Sequence, residues 1–76
     1  MIKLSGTPVI EGYTENGARR VRVGLWADTE DEMTNVTTGE NIEGLNNTDV
    51  LTMGSTCLTI VDASFGRLGS NGTWTF

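Results

Sequence analysis

Four carboxylates stand close together near the middle of the chain and are the first residues that could do chemistry. They are Asp28, Glu30, Asp31 and Glu32, and carboxylate oxygens are ligands that Ca²⁺ takes in proteins. Their spacing does not match the EF-hand loop, in which ligands alternate around a central glycine. A solvated acidic turn or a helix cap fits the spacing better. The sequence therefore predicts no metal ion and no other cofactor.

Nucleophilic catalysis would need a serine, threonine or cysteine beside a base, and the chain has no histidine to act as that base. Cys57 is the only cysteine, so no disulfide can form within the chain. It alternates with Thr59 and Val61 in a strand-like run, which predicts a small buried side chain rather than a reactive thiol. A chain of 76 residues also has little room for a pocket of roughly 300 Å³ or more. The sequence predicts a protein that is not an enzyme.

Arginines and aromatic residues are the candidates for contact with a partner. Arg20 and Arg22 would lie on the outward face of a strand, where they could bind the acidic groups or phosphates of a partner. They could equally pair with the chain's own acids or guard an edge strand against aggregation. Aromatic residues are enriched at interfaces, but in so small a chain they also supply the core. The predicted contact residues are Tyr13, Arg20, Arg22, Trp26, Phe65 and Trp74.

The charge balance limits the class of partner. Ten acidic residues outnumber five basic ones, which gives a net charge of −5. A protein that neutralises phosphates needs a basic surface, so nucleic acid is not an expected partner. No stretch approaches the ~20 apolar residues of a membrane-spanning helix, and residues 1–6 lack the apolar region of a signal peptide. We expect no membrane partner and synthesis in the cytoplasm of a cell.

Glycine-containing turns divide the chain into runs that are typical of strands. Asn16-Gly17 stands between two such runs, which is the strongest short-range signal for a hairpin. It predicts a β-hairpin over residues 8–26 with a type I′ turn. In the second arm of this hairpin, side chains would alternate between core and solvent. Val21, Val23 and Leu25 would face the core, while Arg20, Arg22 and Gly24 would face outward.

Residues 54–76 predict a three-stranded meander with strands at 57–61, 65–68 and 73–76. An acidic connector, residues 27–53, joins the hairpin to the meander. It is expected to contain a short helix at most, starting at a cap on Asp28, or a short strand, or to lie against a neighbouring subunit. Its apolar side chains would hold it on the core: Ile42, Leu45, Val50, Leu51 and Met53. The sequence thus predicts a single all-β domain, residues 1–76, built as a small β-sandwich or barrel.

The C-terminal segment resembles a pattern found at the ends of small tailed-phage and prophage proteins. The pattern is Gly54-Ser55, an apolar strand, Asp62-x-Ser64, a second strand, and then Ser70-x-Gly72-x-Trp74. Gly66 and Arg67 depart from the run more usual in that group. The resemblance implies a multicopy virion component, such as a capsid decoration or a head- or tail-associated protein. Its partners would be other virion proteins and further copies of itself.

The length of the chain also favours a protein that is part of a larger assembly. A domain of this size has a thin core, and with neither a disulfide nor a metal to staple it, association is the remaining source of stability. A second hypothesis is a cytoplasmic acidic binding or inhibitor module that acts on a host protein. The acidic run from Asp28 to Glu32 favours that hypothesis, and the arginines at 20 and 22 count against it.

Overall fold

The computed structural model describes residues Met1–Phe76 and confirms the predicted all-β fold. Nine short strands form two sheets, and the only helical element is a 3-10 turn at Asp31–Met33. The strands are β1 (Ile2–Leu4), β2 (Val9–Tyr13), β3 (Arg19–Arg22), β4 (Gly24–Ala27), β5 (Ile42–Glu43), β6 (Val50–Leu51), β7 (Thr56–Thr59), β8 (Phe65–Leu68) and β9 (Trp74–Thr75). One sheet has the order β5-β1-β4-β7-β8-β9 and the other has the order β2-β3-β6. No helix has the length and apolar character needed to cross a membrane.

The N-terminal hairpin pairs β2 with β3 in antiparallel register. The predicted type I′ turn is wrong, because only Gly17 has a positive φ, of 84°, and Asn16 does not. Thr14 and Ala18 close the turn through the Thr14 N–H, which donates to the Ala18 carbonyl at 2.8 Å. Between them lies a loop of three residues with glycine in the left-handed region, the next most common way to connect a hairpin. The paired arm also ends at Arg22 and does not reach residue 26.

At Val23 the chain leaves the three-stranded sheet and enters the six-stranded one. The Val23 N–H donates to the hydroxyl Oγ of Ser55 at 3.1 Å, because it has no strand partner at this crossing. The predicted alternation nevertheless continues through the crossing, as Val21, Val23 and Leu25 are all buried. Residues 19–27 therefore contribute buried side chains to the core from both sheets.

A second segment, residues 50–59, lies parallel to residues 19–27 through both sheets. β6 pairs with β3, and β7 pairs with β4, in both cases in parallel. Val21 lies opposite Leu51 and Gly24 lies opposite Thr56, so residues 52–55 span the gap that residues 22 and 23 span in the first run. The longer bridge places Ser55 where its hydroxyl can accept from Val23 and donate to the Thr52 carbonyl at 2.8 Å. Both parallel pairings join residues that are about thirty positions apart along the chain.

The C-terminal meander, β7-β8-β9, is antiparallel throughout, as predicted. Its first strand is shorter than expected and ends at Thr59. The Thr59 N–H donates to the Ser64 carbonyl at 2.9 Å, and the Ser64 N–H donates to Thr59 Oγ1 at 3.0 Å, which closes a loop over residues 60–63. Val61 is therefore 71% exposed, and the expectation that it shares the strand and the face of Cys57 is wrong.

The acidic connector differs from its prediction in two respects. No helix begins at Asp28, since the 3-10 turn starts three residues later and has no side-chain cap. The Glu32 carboxylate instead accepts from the backbone N–H groups of Asp28 and Thr29 at 2.9 and 3.3 Å. Met53, predicted to pack on the core, is 64% exposed, and Met33 is fully buried. The end of the acidic run thus contributes a core residue, Met33, that the sequence did not predict.

The core is small and draws residues from both sheets and from the connector. Its buried apolar residues are Ile2, Val21, Val23, Leu25, Ala27, Met33, Ile42, Leu51, Cys57 and Leu68. Of the connector residues predicted to pack there, Ile42 and Leu51 are buried, and Leu45 and Val50 are partly buried. The inner face of the six-stranded sheet is covered, whereas no element of the chain lies over the outward side chains of β4, β7 and β8.

The turn at Gly17 provides a direct test of the hairpin. A side chain there would meet no atom within 4 Å, so any cost of substitution comes from the positive φ alone. We expect Gly17→Val to lower the free energy of unfolding by about 1–2 kcal/mol, the typical cost of a left-handed residue. Gly6→Val is the matched control, because Gly6 also has open space around it but no positive φ. Urea unfolding of both variants checks the prediction, which equal stabilities would contradict.

Candidate functional site

Three large apolar side chains lie side by side on the outer face of the six-stranded sheet. Trp26 on β4 is in register with Leu58 on β7, and Leu58 is in register with Phe65 on β8. Their exposed fractions are 49%, 49% and 56%. We call these three residues the apolar row. Neighbouring strands are about 4.8 Å apart, so the three side chains form one continuous strip.

Strand alternation explains why these residues are exposed. Successive side chains in a strand point to opposite faces of the sheet. Leu25, Cys57 and Gly66, each the chain neighbour of a row residue, point inward and are buried. The residues that build the core thus force their bulky neighbours onto the other face.

Two further apolar side chains extend the row at the end of β7. Ile60 is 64% exposed and Val61 is 71% exposed. Their N–H groups donate to the carbonyls of Ala27 and Asp28 at 2.9 and 2.8 Å, so the backbone holds them beside the end of β4. Trp26, Leu58 and Ile60 line a shallow apolar depression on the surface. Clustered exposure of this kind is typical of surfaces that bind another molecule.

Charged residues flank the apolar row at both ends. Lys3 on β1 lies in register with Trp26, and Glu43 on β5 lies in register with Lys3. Arg67 follows Phe65 by two residues on β8, so it lies on the same outer face, level with Thr56 of β7. Neither Lys3 nor Arg67 has a carboxylate oxygen within 4.0 Å. An acidic protein therefore places two of its few cations, unpaired, around its most apolar surface.

The three arginines of β3 have different environments. Arg19 makes two hydrogen bonds to the buried Asp49 carboxylate, from Nε to Oδ1 at 3.0 Å and from Nη2 to Oδ2 at 2.6 Å. Arg22 lies 3.6 Å from a Glu11 oxygen, and Arg20 is exposed without an ion pair. The three-stranded sheet thus uses one arginine to hold the connector in place.

Asp49 is the best-buried charged group of the chain. Its hydrogen bonds from Arg19, together with one from the Asn46 N–H at 3.1 Å, lower the pKa of its carboxyl group although burial opposes the shift. Because β3 carries Arg19 and the connector carries Asp49, this ion pair joins the hairpin to the segment that precedes β6.

The six predicted contact residues do not form a single site. Trp26 and Phe65 share the apolar row, whereas Arg20, Arg22 and Tyr13 belong to the other sheet, with Tyr13 63% exposed on its edge strand. Trp74 packs against the core and donates its indole Nε1–H to the Val36 carbonyl at 2.7 Å. Its ring also stacks on Phe76 with a centroid distance of 6.4 Å.

Sequence reasoning missed the central residue of the row, Leu58, and the two flanking cations, Lys3 and Arg67. The signal for Leu58 was present, because it alternates with Cys57 and Thr59, the residues predicted to be buried. An apolar residue at an outward position becomes informative only where it is joined to other exposed apolar residues, as Leu58 is to Trp26 and Phe65. The neighbourhood of Lys3 had no such signal, since β1 joins the sheet through pairings that are remote in sequence.

Cys57 has the environment of a core residue. Its thiol is buried in the sheet, and desolvation raises its pKa from the usual value to about 11. A thiol of this kind is almost wholly protonated at neutral pH and is a poor nucleophile.

No group of three or more His, Cys, Asp or Glu side chains is placed to hold a metal ion. In the acidic run, Asp28 and Glu32 both accept from the Met1 amino group, at 2.9 and 2.5 Å.

Comparison with protein-family models, with curated proteins and with solved structures found no match to this chain.

The Arg19–Asp49 pair predicts a specific dependence of stability on pH. The folded state lowers the pKa of Asp49, so the pair stabilises the fold fully at pH values well above ~4, where an unfolded aspartate titrates. This contribution is lost as the pH falls through the lower pKa of the folded state. We expect Asp49→Asn to remove part of the stability at pH 7 and to flatten its decline between about pH 5 and pH 2. Urea unfolding across this range checks it, and parallel pH profiles for the two proteins would contradict it.

The buried thiol gives a second measurable expectation. At pH 8, Cys57 should react with a disulfide reagent such as DTNB at least ~100-fold more slowly in the native protein than in urea, because both burial and its raised pKa suppress the thiolate. A native rate close to the unfolded rate would show that β7 opens readily to solvent.

Proposed function

We propose that this protein is a non-catalytic structural subunit that docks through its apolar row onto the proteins of a larger, phage-type particle. The observation that carries the proposal is the juxtaposition of Trp26, Leu58 and Phe65 on one uncovered sheet face. Burial of such surface contributes roughly 25 cal/mol for each Å² removed from water. Aromatic residues such as Trp26 and Phe65 are also enriched in the centres of interfaces, and tryptophan is among the residues that most often dominate binding energy there.

The surface suits docking better than it suits binding of a small molecule. The row lies on the face of a sheet and offers a shallow depression, whereas small-molecule sites are concave and enclose most of their ligand. An apolar centre with charged residues at its margin, here Lys3 and Arg67, is the usual arrangement of a protein–protein interface. The partner is therefore expected to be another folded protein surface.

Assignment to a phage-type particle rests on the C-terminal resemblance. The segment with that pattern, residues 54–76, supplies Leu58 and Phe65 to the row, and its Asp62-x-Ser64 turn lies directly after the exposed Ile60 and Val61. The pattern and the candidate docking surface thus coincide in the chain. Their coincidence supports a virion component, such as a capsid decoration or a head- or tail-associated protein, over an isolated cytoplasmic module.

The proposal predicts that the chain is a component of purified particles and that the row determines its incorporation. Particles would be purified by density gradient from cells that make them together with the tagged chain, and the chain would be quantified by mass spectrometry. We expect Leu58→Lys to lower incorporation at least ~10-fold, because it places a charge in the centre of the interface. Absence of the unmodified chain from the particles would contradict the proposal.

Ile10→Lys is the matched control for this experiment. Ile10 is 47% exposed, nearly as much as Leu58, but it lies on β2 in the other sheet. Both variants should unfold within about 1 kcal/mol of the parent chain, since neither side chain is part of the core. Equal loss of incorporation in the two variants would assign the effect to solubility or charge and not to the row.

A further inference from the structure

We propose that β2 accepts an extended segment of a partner protein as a fourth strand of the three-stranded sheet. The segment would pair with β2 through its main chain and carry apolar side chains at alternate positions, in the mode of strand addition. This inference goes beyond the proposed function, because the apolar row lies on the other sheet. Incorporation through the row does not require the segment, so the two proposals can fail independently.

β2 is the one long strand edge that the chain leaves open. The order β2-β3-β6 places it at the end of its sheet, where it has five residues. At the opposite end the connector covers β6, since the Leu51 N–H donates to the Thr37 carbonyl at 3.0 Å and the Gly39 N–H donates to the Asp49 carbonyl at 2.9 Å. The edge strands of the six-stranded sheet, β5 and β9, have two residues each. Only β2 therefore offers another strand a row of main-chain groups.

The main-chain groups of Tyr13 point away from β3 into this open edge. Residue pairs of an antiparallel ladder alternate between hydrogen-bonded and non-hydrogen-bonded. Thr14 and Ala18 form a bonded pair, since the Thr14 N–H donates to the Ala18 carbonyl at 2.8 Å. The next pair, Tyr13 with Arg19, is therefore not bonded. The N–H and the carbonyl of Tyr13 are free to bind another strand.

Ile10 offers a second pair of main-chain groups at the same edge. It lies in register with Val21, whose carbonyl is turned the other way and accepts from the Thr52 N–H at 2.8 Å. The Ile10–Val21 pair is therefore also non-bonded. A bulge follows Ile10, so that Ile10 and Tyr13 are two positions apart when counted along β3. Two positions is the repeat at which a regular antiparallel strand presents its own bonding groups.

The side chains of Ile10 and Tyr13 extend the core side of the sheet past its last strand. Ile10 lies in register with Val21, which is fully buried. Tyr13 lies in register with Arg19, whose guanidinium binds the buried Asp49. Residues directly opposite each other in a ladder share a face, yet Ile10 and Tyr13 are 47% and 63% exposed because no strand lies beyond β2. A further strand would continue this face and flank both side chains with its own.

The charges that usually protect an open edge are missing from β2. Natural edge strands carry lysine, proline or other charged residues, and the only charged residue of β2 is Glu11. Its carboxylate is turned across the sheet, where Oε1 accepts from the Thr52 hydroxyl at 2.6 Å and Oε2 lies 3.6 Å from Arg22 Nη1. An uncharged segment rich in apolar residues therefore fits this edge better than an acidic or basic one. The bulge limits the length of regular pairing, which favours a short segment.

Selection from a library of random peptides of ~12 residues tests the proposal without a known partner. The displayed library would be selected against the immobilised chain, and the selected peptides would be synthesised and titrated. We expect peptides with apolar residues at alternate positions, whose affinity Leu58→Lys leaves within about threefold of the parent. Peptides that all lose binding with Leu58→Lys would assign the contact to the apolar row and overturn the proposal. A library that yields no binder would overturn it as well.

Tyr13→Pro and Tyr13→Val are a matched pair for the main-chain contact. Both replace the ring with a small apolar side chain, but only proline removes the N–H. Because that N–H points outward, proline should be tolerated here, as it is on other edge strands. We expect Tyr13→Pro to bind the selected peptides at least ~10-fold more weakly than Tyr13→Val does. Equal affinities of the two variants would exclude main-chain pairing at this edge.

Amide hydrogen exchange of the unmodified chain locates the contact and does not depend on the folding of any variant. The amides of Ile10 and Tyr13 should exchange rapidly in the free chain, and a bound peptide should slow both at least ~10-fold. Thr14, whose N–H already binds the Ala18 carbonyl, is the internal control and should change little. Unchanged exchange at Ile10 and Tyr13 would overturn the proposal. Protection that arises without peptide as the chain is concentrated would assign the edge to a second copy and overturn it too.

Discussion

The parallel pairing of two chain segments, residues 19–27 and 50–59, is the constraint on which the rest of the structure depends. Each segment contributes a strand to both sheets, and both change sheet at the same level. At that level the regular ladder is interrupted, and the Ser55 hydroxyl satisfies the Val23 N–H at 3.1 Å while it donates to the Thr52 carbonyl at 2.8 Å. A buried N–H without a partner would cost as much as a lost hydrogen bond, so this one side chain allows the chain to cross without an unsatisfied group. The other strands extend the two sheets on either side of these two paired segments.

The exposed apolar row is a consequence of how the same two segments are arranged. Because Val21, Val23, Leu25 and Ala27 alternate inward without interruption, the residues between them must point outward, and Trp26 is one of these. The three-stranded sheet and the connector can cover only one face of the six-stranded sheet. Every strand of residues 1–76 already belongs to one of the two sheets, and none of them lies over the second face. Leu58 and Phe65, in register with Trp26, are therefore half exposed.

The charged residues are distributed unevenly between the apolar row and the rest of the surface. Both carboxylate oxygens of Asp49 accept hydrogen bonds from Arg19, and this ion pair holds the connector to the hairpin. The acidic run begins at Asp28, directly after β4, while Lys3 lies in register with Trp26 and Arg67 lies two residues beyond Phe65 on β8. Glu43 lies on the same register line beyond Lys3, so the margin of the row carries charges of both signs. Arg20 and Arg22, which the sequence singles out, lie on β3 of the other sheet and do not contribute to this face, whereas their neighbour Arg19 holds Asp49.

The sequence by itself determined the features that depend on near neighbours in the chain. Strand alternation from Val21 to Leu25, the hairpin around Gly17, the meander after Gly54 and the inward position of Cys57 are all set by local periodicity and turn residues, so they could be predicted. Local patterns also place Trp26 and Phe65 on strands, but they do not say which residue lies between them. Only the tertiary structure decided that, because the β4–β7 pairing joins residues about thirty positions apart and its register depends on how residues 52–55 bridge the crossing. The same holds for Lys3 and for the Arg19–Asp49 pair: their contacts form across long loops, where chain entropy and packing of the whole core, rather than periodicity, select the partner.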